Sequence, residues 1–198
     1  RIAYYASEYK SLTNTSLNKK DIVKLHNLKT DIFIECVNKN LVPIRTGIER
    51  IINESYENGL KLAIATTTNI KNVEAILATA NDKDILKKFQ LIATGDTVKN
   101  KKPAPDIYAY TLAKLNLLAS ECIAFEDSAI GLKAANAIGI KTLITISEFT
   151  TKNNFVGAML VLNNLGDKNK PFKIIKGDYT NYSFVCLNYL KELYEKNT

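Results

Sequence analysis

Residues 122–145 read CIAFEDSAIGLKAANAIGIKTLIT, a stretch whose pattern decides the fold. It begins with an apolar run at 122–125, continues as a helical pattern over 131–137, and returns to an apolar run at 142–145. Gly139 closes the helical part, as glycine commonly does after the last turn of a helix. Apolar runs without polar alternation are typical of strands covered on both faces, so this stretch predicts a strand, a crossover helix and a parallel strand.

The same alternation of short apolar runs and amphipathic segments extends on both sides of this stretch. Further strands are predicted at 62–65, 91–93 and 159–162, and further helices at 48–56, 69–80 and 105–115. This order of elements predicts an α/β fold with a Rossmann-like parallel sheet between two layers of helices.

Residues 1–42 carry a different, purely helical pattern. Four apolar residues share one helical face: Ile22, Leu25, Leu28 and Ile32. Pro43 and Gly47 then interrupt the pattern. We therefore predict two domains, a helical one at 1–42 and an α/β core at 43–198.

Three groups of polar side chains follow predicted strands or occupy the loops between them. Thr66, Thr67 and Thr68 follow the run at 62–65, Lys102 begins a Pro-rich turn, and Glu126 and Asp127 follow the run at 122–125. In open α/β sheets, ligands bind beyond the carboxyl ends of the strands, so we expect the three groups to meet in one crevice. Together they can bind a phosphate oxygen, neutralise its charge and hold a hard divalent cation.

Each group by itself has a simpler interpretation. Three threonines can be β-branched strand residues or helix caps, Lys102 can be a surface lysine, and Glu126 with Asp127 can be acids in the first turn of a helix. The functional interpretation depends on finding all three in order, in a strand-loop-helix context. Arg45 also allows two interpretations, since its guanidinium could bind phosphate or support the turn near the predicted domain boundary.

At these positions the chain resembles the haloacid dehalogenase-like phosphohydrolases, over most of its length. The resemblance implies that Thr66 and Lys102 are catalytic, with the hydroxyl donating to the phosphoryl group and the ammonium neutralising it. It implies that Glu126 and Asp127 hold Mg²⁺. It also implies that Thr67 and Thr68 bind substrate.

The match is closest to the CbbY-like branch, which is similar to β-phosphoglucomutase-type sugar-phosphate enzymes. It is carried by residues 42–47, 63–68, 155–158 and 165–167. In that branch residues 1–42 would be part of an α-helical cap, and Lys29 is similar to a cap lysine that binds substrate.

The chain departs from the family at its first motif, an apolar strand that ends in Asp-x-Asp-x-Thr. The family takes its nucleophilic aspartate and its general acid/base from that motif. The one Asp-x-Asp in this sequence is Asp82-Lys83-Asp84, and no apolar run leads into it. We expect the first strand of the core to be missing between the strands at 62–65 and 122–125, the chain to be a fragment of a longer polypeptide, and no aspartyl-phosphate turnover in the chain alone.

The expected function is that of a Mg²⁺-dependent phosphatase for a small sugar phosphate, for which the branch implies a pentulose bisphosphate. A sugar phosphomutase of the same superfamily is one alternative. A non-catalytic phosphate-binding protein is the other.

The composition of the chain restricts the kinds of partner that it can bind. The chain has 198 residues and a net charge of +7, which would suit a nucleic-acid binder, but its lysines are scattered among acids. No apolar run is long enough to span a bilayer. We expect a monomer whose partner is a phosphorylated small molecule, with neither nucleic acid nor membrane as a partner.

The three cysteines, Cys36, Cys122 and Cys186, are an odd number and widely spaced. That spacing favours buried free thiols over disulfides or a metal site. The expected location is the cytoplasm, or the plastid stroma in a photosynthetic eukaryote.

Overall fold

The computed structural model of the protein describes residues 17–197. The chain divides into two compact units, Arg1–Pro43 and Ile44–Thr198. The assignment of residues 1–42 to a partial cap domain stays a prediction.

In the first unit, helix α1 spans Lys19–Asn38. Its start is fixed by a capping box, because the Asn18 side chain accepts hydrogen bonds from the backbone N–H groups of Lys20 and Asp21 while the Asp21 carboxylate accepts one from Asn18 N–H. Along the predicted apolar face, Leu28 and Ile32 are about half exposed, at 54% and 50%.

In the second unit, helices and strands alternate as the sequence predicts, and the α/β fold is confirmed. The elements are α2 (Ile48–Glu57), β1 (Ala63–Ala65), α3 (Ile70–Ala78), β2 (Leu91–Ala93), α4 (Asp106–Leu115), β3 (Ile123–Glu126), α5 (Ala129–Asn136), β4 (Lys141–Thr145), β5 (Leu160–Leu162), β6 (Ile174–Lys176) and α6 (Leu187–Lys196). Short 3₁₀ helices at Ile85–Lys88 and Ala119–Glu121 and the strand β6 were not predicted.

The strands form two separate sheets. β1 pairs with β2 in parallel, and β3, β4 and β5 pair in parallel with β6 added antiparallel at the edge. Within the described part of the chain, β1 and β3 have no strand between them and are not paired with each other, so each has one unpaired edge. This interruption lies where the sequence predicts a missing strand.

The centre of the core lies in the four-stranded sheet. Leu143 in β4 and Leu162 in β5 are completely buried, and they pack in one cluster with α6 residues such as Leu190. The opposite face of the same strands carries Ile144 and Val161, which pack against α5 through Leu132.

A cavity of about 680 Å³ lies at the interruption between β1 and β3. We call it the inter-strand cavity. Its lining is mostly apolar and includes residues of both strands and of helices α4 and α6, namely Ala63, Ala65, Ile123, Phe125, Leu112 and Leu190.

The structure also bears on the predicted state of the cysteines and on the possibility of a membrane-spanning helix. The three cysteines are free thiols, and they are half-buried rather than buried as predicted. Among residues 17–197, no helix combines the length and the apolar character that a membrane crossing requires.

Candidate active site

Thr66 immediately follows β1. Its backbone N–H donates to the carbonyl oxygen of Ala93 at 2.9 Å, which continues the pairing of β1 with β2. The hydroxyl oxygen of Thr66 accepts the N–H of Thr68 at 3.2 Å. Because that oxygen acts as the acceptor, the hydroxyl proton of Thr66 can be donated to an anion at the strand end.

Thr68 is fixed by the first turn of α3. The side-chain amide of Asn72, which is only 4% exposed, donates to the Thr68 hydroxyl oxygen at 2.7 Å. Asn72 Oδ1 is buried and has no hydrogen-bond partner within the described residues. The neighbouring carbonyl of Thr67 lies against Gly95, where any side chain would collide with it, so glycine lets the loops after β1 and β2 approach closely.

Lys102 connects the ends of the two strands that flank the interruption. Its ammonium donates to the carbonyl oxygen of Ala65, the last residue of β1, at 2.9 Å. It also forms an ion pair with Glu126, the last residue of β3. Its side chain is 10% exposed, so the charge is largely desolvated and depends on these partners.

Glu126 is the most enclosed carboxylate at this end of the sheet. Its side chain is 8% exposed, and its Oε1 accepts from the Lys102 ammonium and, at 2.5 Å, from the Tyr108 hydroxyl. The carboxylate also lies directly against Gly131 in α5, where a Cβ would overlap it. The start of α5 is capped by Ser128, whose hydroxyl oxygen accepts the N–H of Gly131 at 3.2 Å.

Tyr108 is a member of this site that the sequence did not indicate. It lies in α4, is 7% exposed, and has the Lys102 ammonium 4.6 Å from its ring centroid. Burial and the nearby carboxylates of Glu126 and Asp127 raise the pKa of Tyr108, so its proton stays on the hydroxyl. A buried tyrosine hydroxyl needs a hydrogen-bond partner, and here that partner is the Glu126 carboxylate.

Asp127 and Arg45 lie on the more open side of the site. Asp127 is exposed. The Arg45 guanidinium donates to the carbonyl oxygens of Thr145 at 2.9 Å and Asn163 at 2.8 Å, which follow or end β4 and β5, and to Ile146 at 2.5 Å. Burial lowers the pKa of Arg45, and the charge of Asp127 opposes that shift. Since its donors are used by these carbonyls, the contacts favour the turn-supporting interpretation of Arg45.

The carboxylate oxygens of Glu126 and Asp127 are ligands of the type that hard divalent cations prefer. Among residues 17–197 no group of three or more His, Cys, Asp or Glu side chains could hold a metal. However, Mg²⁺ is commonly held by one or two carboxylates, with waters and substrate phosphate completing its octahedron. Glu126 and Asp127 fit that mode, provided that Glu126 shares its oxygens between the cation and Lys102.

The predicted residues at the strand ends therefore come together in the second unit. Lys102 contacts Glu126 directly and contacts the residue that precedes Thr66, while Asp127 follows Glu126 in the chain. Lys29 lies on α1 in the first unit and is exposed, and its role in substrate binding stays a prediction. The roles of Thr67 and Thr68 in binding substrate stay predictions as well.

Comparisons with known proteins identify the family that the chain matches. A model of the haloacid dehalogenase-like hydrolase family matches residues 3–145. Protein CbbY, plasmid, from Cupriavidus necator is 44% identical over 153 residues, which cover 77% of this chain and 60% of that protein. The chain thus spans about 60% of the length of such curated relatives.

Solved structures give the same result. The structure of CbbY from Rhodobacter sphaeroides in complex with phosphate has a TM-score of 0.72 and 32% sequence identity, and the match covers 80% of this chain and 70% of that one. A mutant of the same protein, in complex with xylulose-(1,5)bisphosphate, matches with the same values. The resemblance to the CbbY-like branch is confirmed.

Proposed function

Because this chain belongs to the haloacid dehalogenase-like hydrolase family, we propose that its second unit is the phosphate-handling core of a Mg²⁺-dependent phosphatase for a small sugar phosphate. The observation that carries the proposal is the position of Lys102, whose buried ammonium connects the ends of β1 and β3. The Lys102 ammonium thus lies between the residue that precedes Thr66 and the Glu126 carboxylate, which Asp127 follows in the chain.

A similar structure supports the proposed substrate class. CbbY from Rhodobacter sphaeroides, in a mutant form, was solved with xylulose-(1,5)bisphosphate. We propose a pentulose bisphosphate of this kind as the substrate.

Each residue has one task in the proposed reaction. Thr66 donates its hydroxyl proton to a non-bridging phosphate oxygen, and Lys102 offsets the negative charge that accumulates where a carboxylate nucleophile approaches phosphate. Glu126 and Asp127 would hold Mg²⁺, which supplies further charge neutralisation when bound. Thr67 and Thr68 line the loop that receives the phosphate.

The nucleophile is the part that the described residues do not supply. Asp82 and Asp84, the only Asp-x-Asp pair in the sequence, precede a 3₁₀ helix and form ion pairs with Lys88 and Lys87. The inter-strand cavity lies between β1 and β3, where the family has the strand that carries its nucleophilic aspartate. We therefore propose that the chain alone forms no aspartyl-phosphate.

Phosphate release from xylulose 1,5-bisphosphate in the presence of Mg²⁺ tests both statements. We expect no release by the 198-residue chain. We expect release by a chain extended at its N-terminus with an apolar strand that ends in Asp-x-Asp. Lys102→Met and Asp127→Ala in the extended chain should abolish release, while Lys99→Met, an exposed lysine nearby in sequence, should not.

Two results would contradict the proposal. An extended chain that folds and binds phosphate without releasing it would refute the phosphatase. Turnover by the unextended chain that is lost in Asp127→Ala would refute its inactivity.

Within residues 17–197 no third acidic, histidine or cysteine side chain joins Glu126 and Asp127 in a metal-binding group, which favours a second candidate, a non-catalytic phosphate-binding protein. Binding of phosphate and Mg²⁺ without turnover in the extended chain would support it. A phosphomutase would be recognised in the same assay if glucose 1-phosphate, supplied with its bisphosphate, were converted to glucose 6-phosphate.

A further inference from the structure

We infer that Tyr108 is a positioning residue of this site, whose hydroxyl holds the Glu126 carboxylate while Lys102 is shared with a phosphate. The inference deepens the proposed function and rests on it for the identity of the ligand. It concerns the hydroxyl group alone, because the aromatic ring of Tyr108 also packs in the core.

The three side chains form one enclosed unit. Tyr108 is 7% exposed, and the side chains of Glu126 and Lys102 are 8% and 10% exposed. The Tyr108 hydroxyl donates to Glu126 Oε1 at 2.5 Å, and the same oxygen accepts from Lys102. A hydrogen bond from a neutral donor to a buried carboxylate is among the stronger ones in proteins.

The donors of Lys102 are fully used in this unit. An ammonium has three protons, and the Nζ of Lys102 contacts three acceptors: Ala65 O at 2.9 Å, Tyr108 Oη at 3.4 Å and Glu126 Oε1. A phosphate oxygen can therefore gain a full hydrogen bond from Lys102 only by replacing one of these acceptors.

If the acceptor that the phosphate replaces is Glu126 Oε1, Glu126 loses the Lys102 donor. A buried carboxylate without hydrogen-bond donors is strongly disfavoured. The Tyr108 hydroxyl prevents that state, because it lies on α4 and keeps its bond to Oε1 when the lysine moves. Glu126 then stays oriented for a divalent cation. In other metal sites, hydrogen bonds from neighbouring residues orient the ligands in the same way.

The variant Tyr108→Phe isolates this role. It keeps the ring, its packing and its contact with the Lys102 ammonium, and it removes only the hydroxyl. Tyr110→Phe is the matched control, because Tyr110 lies on the same helix with the Lys114 ammonium 5.6 Å from its ring centroid.

The first measurement is binding of Mn²⁺ by electron paramagnetic resonance and of inorganic phosphate by calorimetry. We expect Tyr108→Phe to weaken Mn²⁺ binding by roughly tenfold, the usual cost of losing a group that orients a metal ligand. Tyr110→Phe should leave it unchanged. If the parent chain binds Mn²⁺ and Tyr108→Phe binds it equally well, the inference is overturned.

The second measurement needs no ligand. Carbodiimide labelling of Glu126, followed by peptide mass spectrometry, reports how firmly its carboxylate is held. We expect labelling to rise several-fold in Tyr108→Phe, with Glu54 as the internal reference, since Glu54 is half-buried and accepts the N–H of Leu187 at 3.0 Å. Unchanged labelling of Glu126, or an equal rise at Glu54, overturns the inference.

The two measurements separate the inference from the proposed function. A parent chain that binds neither Mn²⁺ nor phosphate counts against the proposed function. The labelling of Glu126 then still decides whether the Tyr108 hydroxyl holds the carboxylate.

Discussion

The strands beside the interruption and the inner strands of the four-stranded sheet are built from similar apolar runs, yet they are buried to different degrees. All three residues of β5 and four of the five residues of β4 are buried. No residue of β1 is fully buried, and in β3 only Ala124 is. Burial therefore decreases from β4 and β5 toward the interruption, although the apolar character of the sequence does not.

The difference shows that an apolar run is buried most completely where both neighbouring strands are present. β4 has a strand on each side and helices on its faces, whereas β1 and β3 each lack one neighbouring strand among the described residues. Phe125 of β3 is consequently 39% exposed, next to the inter-strand cavity. Four predictions test this contrast, in order of decreasing effect.

The largest effect is expected from Leu162→Ala in β5. Leu162 is completely buried, so its truncation leaves a cavity and should cost about 3 kcal/mol of unfolding free energy. Phe125→Ala, beside the interruption, should cost about 1 kcal/mol, since part of that side chain is already in water. Urea unfolding of both variants gives the comparison, and equal losses would show that β3, beside the interruption, is as well packed as β5.

The second largest loss of stability is expected from a substitution of Arg45, whose guanidinium connects the carboxyl ends of β4 and β5. Lysine cannot reproduce its set of hydrogen bonds to carbonyls, so Arg45→Lys should lose about 2 kcal/mol of stability. Phosphate affinity, measured by calorimetry, should stay unchanged. A variant of normal stability with weakened phosphate binding would instead assign Arg45 to the phosphate.

A smaller change in stability is expected at Gly131 in α5, and its sign is opposite to the one that helix propensity predicts. Helix propensity alone would make Gly131→Ala about 1 kcal/mol more stable. The new methyl group would overlap the Glu126 carboxylate, so we expect the variant to be about 1 kcal/mol less stable and Lys102 to lose its partner. Ala137→Ser, at the exposed end of the same helix, is the control, and a stabilised Gly131→Ala would show that Glu126 moves freely.

The smallest effect is expected at the outer edge of the four-stranded sheet, where Lys196 pairs with Asp178 after β6. The hydrogen bond from Lys196 lowers the pKa of Asp178. A carboxylate with a lowered pKa stabilises the fold at neutral pH, and this contribution disappears as the pH falls below the ordinary carboxyl range, near 4. Both side chains are well exposed, so thermal unfolding of Asp178→Asn should differ only slightly from that of the parent at pH 7 and not at all in acid.

Much of this fold could be predicted because its central strands are continuous apolar runs between clear helix boundaries. The runs at 91–93 and 142–145 coincide with β2 and β4 to within a residue. β6 could not be predicted in the same way, because it is a short edge strand whose Ile175 is 53% exposed and whose last residue is a lysine.

The candidate site was predictable where its residues follow strands. Thr66, Lys102 and Glu126 combine unusual residue types with a position at a strand end or in a Pro-rich turn. Tyr108 and Gly131 offered no such signal. A tyrosine in an amphipathic helix is usually a core residue, and a glycine in a helix usually only lowers the stability of that helix. Their importance lies in contacts with Glu126, which only the assembled fold brings about.

The ammonium of Lys102 touches a backbone carbonyl of one sheet and a carboxylate of the other. Any substitution that changes the spacing of the two sheets should therefore also displace the charge that we propose as the one that receives the phosphate. Under that proposal, the stability of the junction between the sheets and the affinity for phosphate depend on one side chain, so selection on folding and selection on binding would act on the same residue.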